Sequence, residues 1–169
     1  MSSVDDLEKL GLYLPSPLDI LGKKFLPGGY SPIARAKKGS IASRLATLCK
    51  TSETDAQTDA QTQATQSAEA EATQGVRVPD CPELMQILRV TGPLAASSAN
   101  RSGHESADSV EEAVAAFGDE IPMYLNAGPT RSHVASTVVG ADPADVDGIV
   151  ILREGVISEE QIRAESRKR

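Results

Sequence analysis

The segment from Thr51 to Gly75, TSETDAQTDAQTQATQSAEAEATQG, contains no Leu, Ile, Val or aromatic residue. A stretch so poor in apolar side chains buries too little surface to offset the entropy of ordering it. It therefore divides the chain, and any fold has to be built from the two segments that flank it. The repeated Asp-Ala-Gln-Thr reads as low-complexity drift, not as a structural repeat. The expected organisation is residues 1–50 as the first part of one domain and 51–75 as a disordered insert. Residues 76–164 form the second part of the domain, and 165–169 a solvated basic tail.

Charge sharpens this division. The chain carries 17 Lys and Arg against 24 Asp and Glu, a net charge of −7. Five of the acids (Glu53, Asp55, Asp59, Glu69 and Glu71) lie in the insert, which has no base. Without it the balance is 17 against 19, or −2, so the remainder is close to neutral. A global −7 argues against a duplex-DNA binder, while a nearly neutral folded part leaves room for a locally basic pocket. With no Trp and 3% aromatic residues, a stacking platform for single-stranded nucleic acid is not expected. Cys49 and Cys81, with His104 and His133, are too few for a disulfide framework or a usual zinc site. No apolar run approaches the roughly 20 residues of a membrane helix, and Met1 to Asp6 lack the apolar stretch of a secretory signal. A cytoplasmic protein with no membrane contact is the expectation.

Before the insert, Val4, Leu7 and Leu10 recur at helical spacing and Gly11 suits a helix end. Ser16 followed by Pro17 predicts an N-cap and first turn, Leu18, Leu21 and Phe25 an apolar face, and Pro27-Gly28-Gly29 a stop. Ser31 to Ser43 shows no period that assigns it. After the insert, Val76 to Pro79 reads as a short strand. Pro82 starts a helix with Leu84, Ile87 and Leu88 inward, stopped at Gly92. Pro93 to Ser97 and Ile121 to Leu125 are expected strands. Between them Ser109 and Glu112 form a capping box for a helix with Val110, Val114 and Phe117 as its stripe. Ser136 to Val139 and Ile149 to Arg153 read as two more strands, and Ser158 to Gln161 caps a last helix. Strands mixed with helices give an α/β (α+β) class with one mixed central sheet.

Three features have residues suited to chemistry. Ser97-Ser98-Ala99-Asn100-Arg101-Ser102-Gly103 is rich in hydroxyl, amide and small residues, which let backbone N–H groups approach an oxyanion. Taken alone, it reads equally as a polar turn. Ser136-Thr137 opens an apolar strand, where Thr is common anyway. Arg77 and Arg153 sit beside β-forming runs, as surface arginines often do, and either would suit a carboxylate or phosphate if aimed into a cleft.

Read in order, Phe25 to Gly28, Val76-Arg77-Val78-Pro79, Gly92 to Gly103, Ser136-Thr137-Val138-Val139 and Ile151-Leu152-Arg153-Glu154-Gly155 resemble the YrdC-like family of threonylcarbamoyl-AMP synthases. The resemblance covers Val76 to Ile162 and, more loosely, Leu18 to Gly28. It implies a YrdC-like fold, a twisted mixed sheet with flanking helices. The implied reaction turns L-threonine, bicarbonate and ATP into threonylcarbamoyl-AMP and pyrophosphate for tRNA modification, with Mg2+ accompanying ATP. Implied partners are a downstream tRNA threonylcarbamoyl transferase complex and tRNA itself, with double-stranded RNA binding. By motif, Ser98, Asn100, Ser106 and Arg153 correspond to the ATP site, and Arg77, Ala96 and Ser136 to the L-threonine site. No catalytic side chain is implied, because bicarbonate and the carbamate supply the attacking atoms. The family's Pro-Thr-x-Thr-x-Tyr-Gly-Leu and Lys-x-Arg motifs are not found in this chain, and its Trp-Pro-Gly-Pro-Leu-Thr is here Leu26 to Ser31. The expectation is thus an N-terminally truncated domain, less stable than a complete one or given to self-association. A non-catalytic remnant that binds nucleotide or tRNA is the alternative.

Overall fold

The computed structural model describes residues 1–44, 72–130, 132 and 134–168. Most of the insert, with Cys49, His133 and Arg169, lies outside the described residues. Helix α1 (Asp6–Leu10) ends at Gly11, whose φ of 67° sends its N–H back to the carbonyls of Leu7 and Glu8. A Cβ at Gly11 would also stand 2.4 Å from that of Ser40, so both conformation and space require glycine there. Strand β1 (Leu12–Tyr13) leads to α2 (Leu18–Phe25) and then to β2 (Tyr30–Ala36). After the insert come β3 (Thr73–Gly75), α3 (Pro82–Thr91), α4 (Val110–Phe117), β4 (Thr137–Ala141), β5 (Ile149–Arg153) and α5 (Glu159–Ser166).

Strand β2 joins the two halves of the chain. It pairs antiparallel with β1 (Leu12 opposite Ala36) and with β3 (Ala34 opposite Gln74). It pairs parallel with β4 (Ser31 opposite Val138), and β5 continues antiparallel from β4. The result is the expected mixed sheet with helices. Alternate residues of β2 are buried: Tyr30, Pro32, Ala34 and Ala36. Ala34 and Ala36 join a core with Met1, Leu7, Leu12, Val76 and Val78. Tyr30 joins a second with Leu18, Leu21, Val139, Ile149 and Ile162. Leu14 and Leu26 pack against both.

Several elements differ from expectation. The unassigned run from Ser31 to Ser43 begins with the shared strand, which ends at Ala36. Ser16 does not cap α2: Pro17 holds the N-cap position, without a side-chain cap. The ladder expected at Val76 to Pro79 lies earlier, at Thr73–Gly75, so the end of the expected disordered insert is a strand. The chain beyond it stays attached to β2 through the Val76 N–H on the Pro32 carbonyl, 3.0 Å. In α3, Leu88 is buried but Leu84 is exposed, and Met85 instead packs on the first core. Neither Pro93 to Ser97 nor Ile121 to Leu125 is a strand, and α4 buries no residue. Between Leu88 and Ser136 no described residue is buried. Among the described residues neither run pairs with a strand, and β propensity without a partner forms no ladder. Leu94, Met123, Leu125 and Val134 are exposed as a result. The box at Ser109 is only half made. Ser109 Oγ accepts the Glu112 N–H, while the Glu112 carboxylate takes that of Asp108.

The basic tail is not free. Ser166 is buried and donates its hydroxyl to the Asp147 carbonyl, 2.8 Å. Arg167 grips both carboxylate oxygens of Asp147 at 2.8 and 2.9 Å. Arg163 bonds Glu159, Asp145 and Asp147. These contacts tie α5, capped by a full Ser158–Gln161 box, to the turn between β4 and β5. Acidic turn residues facing a basic helix face are the physical reason that Arg163 and Arg167 are held there.

Burial and charge give two testable outcomes. Ile162→Ala, in the second core, is expected to destabilise the fold by about 2–5 kcal/mol, whereas Val146→Ala, at 92% exposure, is expected to change it by less than about 0.5 kcal/mol. Chemical denaturation of both variants measures this. Among the described residues five carboxyls are held below their ordinary range: Asp6 by Lys9 and then Ser2, Asp145 chiefly by the Asp147 N–H, Asp147 chiefly by Arg167, Glu120 by Arg101 and Glu165 by Lys168. A depressed folded-state pKa contributes stability that is complete above the unfolded value and is lost as pH falls through the folded one. The melting temperature is thus expected to hold from neutrality to about pH 5 and then drop, with a shallower acid drop in Asp6→Asn. Melting scans across pH measure the slope.

Candidate functional site

The parallel pairing of β2 with β4, and the antiparallel return of β5, bring the start of β2, the start of β4 and the end of β5 to one end of the sheet. Ser31, Ser136 and Arg153 meet there. Ser31 Oγ donates to Ser136 Oγ at 2.8 Å. Arg153 Nη2 donates to Ser136 Oγ at 3.2 Å and to its carbonyl at 3.0 Å, and Nε reaches the same carbonyl at 3.2 Å. Ser136 is 7% exposed, while Arg153 is exposed, so the guanidinium covers a hydroxyl that is almost inside the protein.

The cluster is held by Thr137, whose side chain is fully buried. Its hydroxyl accepts the N–H groups of Gly155 (3.0 Å) and Ile157 (3.1 Å) and donates to the Ile157 carbonyl at 2.5 Å. One hydroxyl thus fastens the loop that leaves β5 against the start of β4. That loop approaches so closely that a Cβ on Gly155 would lie 2.1 Å from the Ala135 carbonyl oxygen. On the other side, a Cβ on Gly29 would lie 2.1 Å from Val156 Cγ2, and the Gly29 carbonyl accepts the Thr137 N–H at 2.9 Å. Arg77 reaches the same strand entry: its Nε donates to the Gly28 carbonyl at 3.0 Å, while the Gly28 N–H bonds the Val78 carbonyl at 2.9 Å.

The loop expected to meet phosphates is built separately. Ser106 Oγ donates to Asn100 Oδ1 at 3.1 Å, and the Ala107 N–H to the Ala99 carbonyl at 2.9 Å. Arg101 pins this loop to the end of α4: it pairs with Glu120, donates to the Ala116 carbonyl at 3.1 Å, and stacks 5.2 Å above the Phe117 ring. Ser98, Ala96 and His104 are exposed. A shallow depression of about 290 Å³ beside the loop is bordered by Ala99, Asp108, Ser109, Tyr124 and Leu125. Of the residues singled out from the sequence, the structure joins Ser136 to Arg153 and Asn100 to Ser106, and sets Arg77 on the Gly28–Gly29 turn. Among the described residues no hydrogen bond connects the Asn100 loop to the Ser136 cluster.

The profile of the Sua5/YciO/YrdC family, described as telomere recombination, matches residues 1–155. The chain belongs to this family. A Bacillus subtilis (strain 168) relative, named threonylcarbamoyl-AMP synthase, is 31% identical over 165 residues, 97% of this chain and 40% of the relative. A relative from Mycobacterium tuberculosis (strain H37Rv) is 39% identical over 97 residues, 56% of this chain and 42% of the relative. The chain thus spans about two fifths of the length of these curated relatives. Among solved structures, P. abyssi Sua5 complexed with L-threonine superposes with a TM-score of 0.71 at 23% identity, covering 96% of this chain and 41% of that one. E. coli YciO gives 0.62 at 20% identity, covering 95% and 65%. Both show the fold.

Sequence reasoning passed over Ser31, Thr137, Gly29 and Gly155. Thr137 looked like an ordinary strand entry, and only the closeness of residues 155–157 reveals its role. Gly155 ends the Leu-Arg-x-Gly motif, and a glycine directly after an arginine-bearing strand was the available signal of a tight approach. Thr137→Val leaves two N–H groups and a carbonyl without their partner, so a loss of about 2–5 kcal/mol is expected, with Thr137→Ser within about 1.5 kcal/mol of wild type. Gly155→Ala is expected to cost about 1–3 kcal/mol through the forced shift of the loop. Urea denaturation ranks the three variants.

Proposed function

We propose that this chain carries out L-threonylcarbamoyladenylate synthesis. The amine of L-threonine attacks the carbon of bicarbonate, releasing water and leaving a carbamate. A carbamate oxygen then attacks the α-phosphorus of ATP, the bond to the bridging oxygen breaks, and pyrophosphate leaves. The observation that carries this reading is the contact between Arg153 and Ser136. One is the residue read as facing ATP and the other as touching threonine. Adenylyl transfer needs those two ligands within bonding reach of each other.

In this reading Arg77 and the backbone at Ala96 take threonine together with Ser136. Ser98, Asn100 and Ser106 take the phosphates together with Arg153. Donors fixed around a developing negative charge stabilise it without reorganising, and the described site has guanidiniums, hydroxyls and an amide for that purpose. These donors include no carboxylate and do not fit a protein-held metal, so Mg2+ enters only as the counter-ion of the ATP phosphates. The L-threonine complex of P. abyssi Sua5 supports threonine as the ligand class. The product would pass in the cytoplasm to a transferase that acts on tRNA. The separation of the Asn100 loop from the Ser136 cluster favours a second reading, a chain that binds nucleotide or tRNA without turnover.

The test is pyrophosphate release by the purified chain. Release that requires ATP, L-threonine and bicarbonate together supports the synthase. Nucleotide binding without release supports the second reading, and ATP turnover independent of threonine removes the first. Loss of one charge-assisted contact corresponds to about 10- to 100-fold in affinity. Arg77→Ala is expected to lose about that much for threonine, and Arg153→Ala for ATP, as titration calorimetry measures.

A further inference from the structure

The loop that carries Ser98, Asn100 and Ser106 is organised around Arg101. The Arg101 carbonyl accepts the His104 N–H and the Asn100 side-chain amide, both at 3.0 Å. A carbonyl can only accept, so the Asn100 atom facing it is the amide nitrogen, and Oδ1 is left to take the Ser106 hydroxyl at 3.1 Å. The side chain of Arg101 then fastens the loop to the end of α4. Its Nε donates to the Ala116 carbonyl at 3.1 Å, its Nη2 pairs with Glu120 in the turn Gly118–Glu120, and the guanidinium lies 5.2 Å from the centre of the Phe117 ring. Carbonyls in the last turn of a helix lack helical partners and favour a cation. Among the described residues no other hydrogen bond links residues 98–106 to residues outside 98–107, and none of residues 98–106 is buried. Asp108, just past the loop, is held separately by Thr130.

We infer that Arg101 is a positioning residue for nucleotide binding, clamping the loop to the end of α4 so that Asn100 and Ser106 are presented in one geometry. The inference rests on the proposed contact of those two residues with the ATP phosphates. Beside a packed core, an exposed ion pair adds little. In this loop burial contributes nothing, so the clamp sets the fraction of molecules that hold the loop ready, and apparent affinity falls in proportion to that fraction. Arg101 is engaged by α4 and its following turn, which sets it apart from a residue that itself takes a phosphate. Glu120 separates the two roles by sign. Removing an acid beside a phosphate-binding loop tightens ATP binding if charge alone counts, and releasing Arg101 tightens it further if the arginine is itself a phosphate ligand. A clamp gives the opposite result, because its anchor is gone.

The experiment titrates the intact chain with ATP and with L-threonine, and follows hydrogen exchange at the His104 and Ala107 N–H groups. It compares wild type, Arg101→Ala, Glu120→Ala and the double variant. Arg101→Ala is expected to weaken ATP by about three- to tenfold, with faster exchange at both N–H groups. Its melting temperature and its L-threonine affinity are expected to match wild type, because no residue of the loop belongs to either core. Glu120→Ala is expected to weaken ATP by about two- to threefold, and the double variant to lose no more than Arg101→Ala alone, since both substitutions break one clamp. ATP binding by Glu120→Ala as tight as wild type or tighter overturns the inference, as does a double variant in which the two losses multiply. Unchanged exchange in Arg101→Ala overturns the clamp even if ATP affinity falls. A melting temperature that drops together with ATP affinity overturns it too, since general destabilisation then accounts for the loss. If wild type binds no ATP, the nucleotide reading of the loop fails and this inference falls with it, whereas failure of the Arg101 and Glu120 variants alone leaves that reading standing.

Discussion

The parallel pairing of β2 with β4 governs both cores and the site. It joins a strand that precedes the low-complexity insert to one from the far end of the chain, and it has to satisfy two demands at once. The buried face of β2 must supply Tyr30 to one core and Ala34 and Ala36 to the other. Its opposite face must leave Ser31 next to Ser136. A slip of one residue would turn Ser31 into the core and Tyr30 out of it. The fully buried Tyr30 is thus a strong guard of the register that the site needs.

Around that pairing, the site is positioned by backbone contacts more than by side-chain charge. The Thr137 hydroxyl replaces three backbone partners that the turn after β5 would otherwise lack. Gly29 and Gly155 permit the approach that makes those bonds short. Arg153 is then directed by geometry: it is the last residue of β5, opposite Val138 across an irregular register, and its guanidinium falls on Ser136. Rigid support beneath a few exposed donors is the arrangement expected where charge has to be stabilised without rearrangement.

Much of this was legible in the sequence, and the failures have physical causes. The amphipathic helices α1, α2, α3 and α5 showed in their spacing and end signals, as did strands β4 and β5 in their apolar runs. Strand β2 escaped because the residues it buries are Tyr, Pro, Ala and Ala, while Ile33 lies on the other face, so alternation of hydrophobicity was absent although alternation of burial is complete. The segment from Pro93 to Leu125 misled in the opposite way. Its apolar residues promised strands, but a ladder is a property of two segments, and neither Pro93 to Ser97 nor Ile121 to Leu125 pairs with another among the described residues. For the site, motif reading named Ser136 and Arg153, which do meet, but could not name Ser31, because nothing local marks a residue that matters through a partner 105 positions away.

That distance bears on how the protein reaches its native state. Contacts within β4, β5 and α5 are local in the chain and can form early, each closing only a short loop. Ser31 and Ser136 can meet only after the whole intervening chain has been looped, at an entropic cost that grows slowly with length but has to be met before β2 and β4 gain anything from pairing. The hydroxyls and the guanidinium of this cluster are therefore assembled in the least local step of folding. A ligand that recognises them binds the finished state alone and withdraws it from the folding equilibrium by mass action. For a chain with this topology, the concentration of any such ligand and the population of fully folded molecules would rise together.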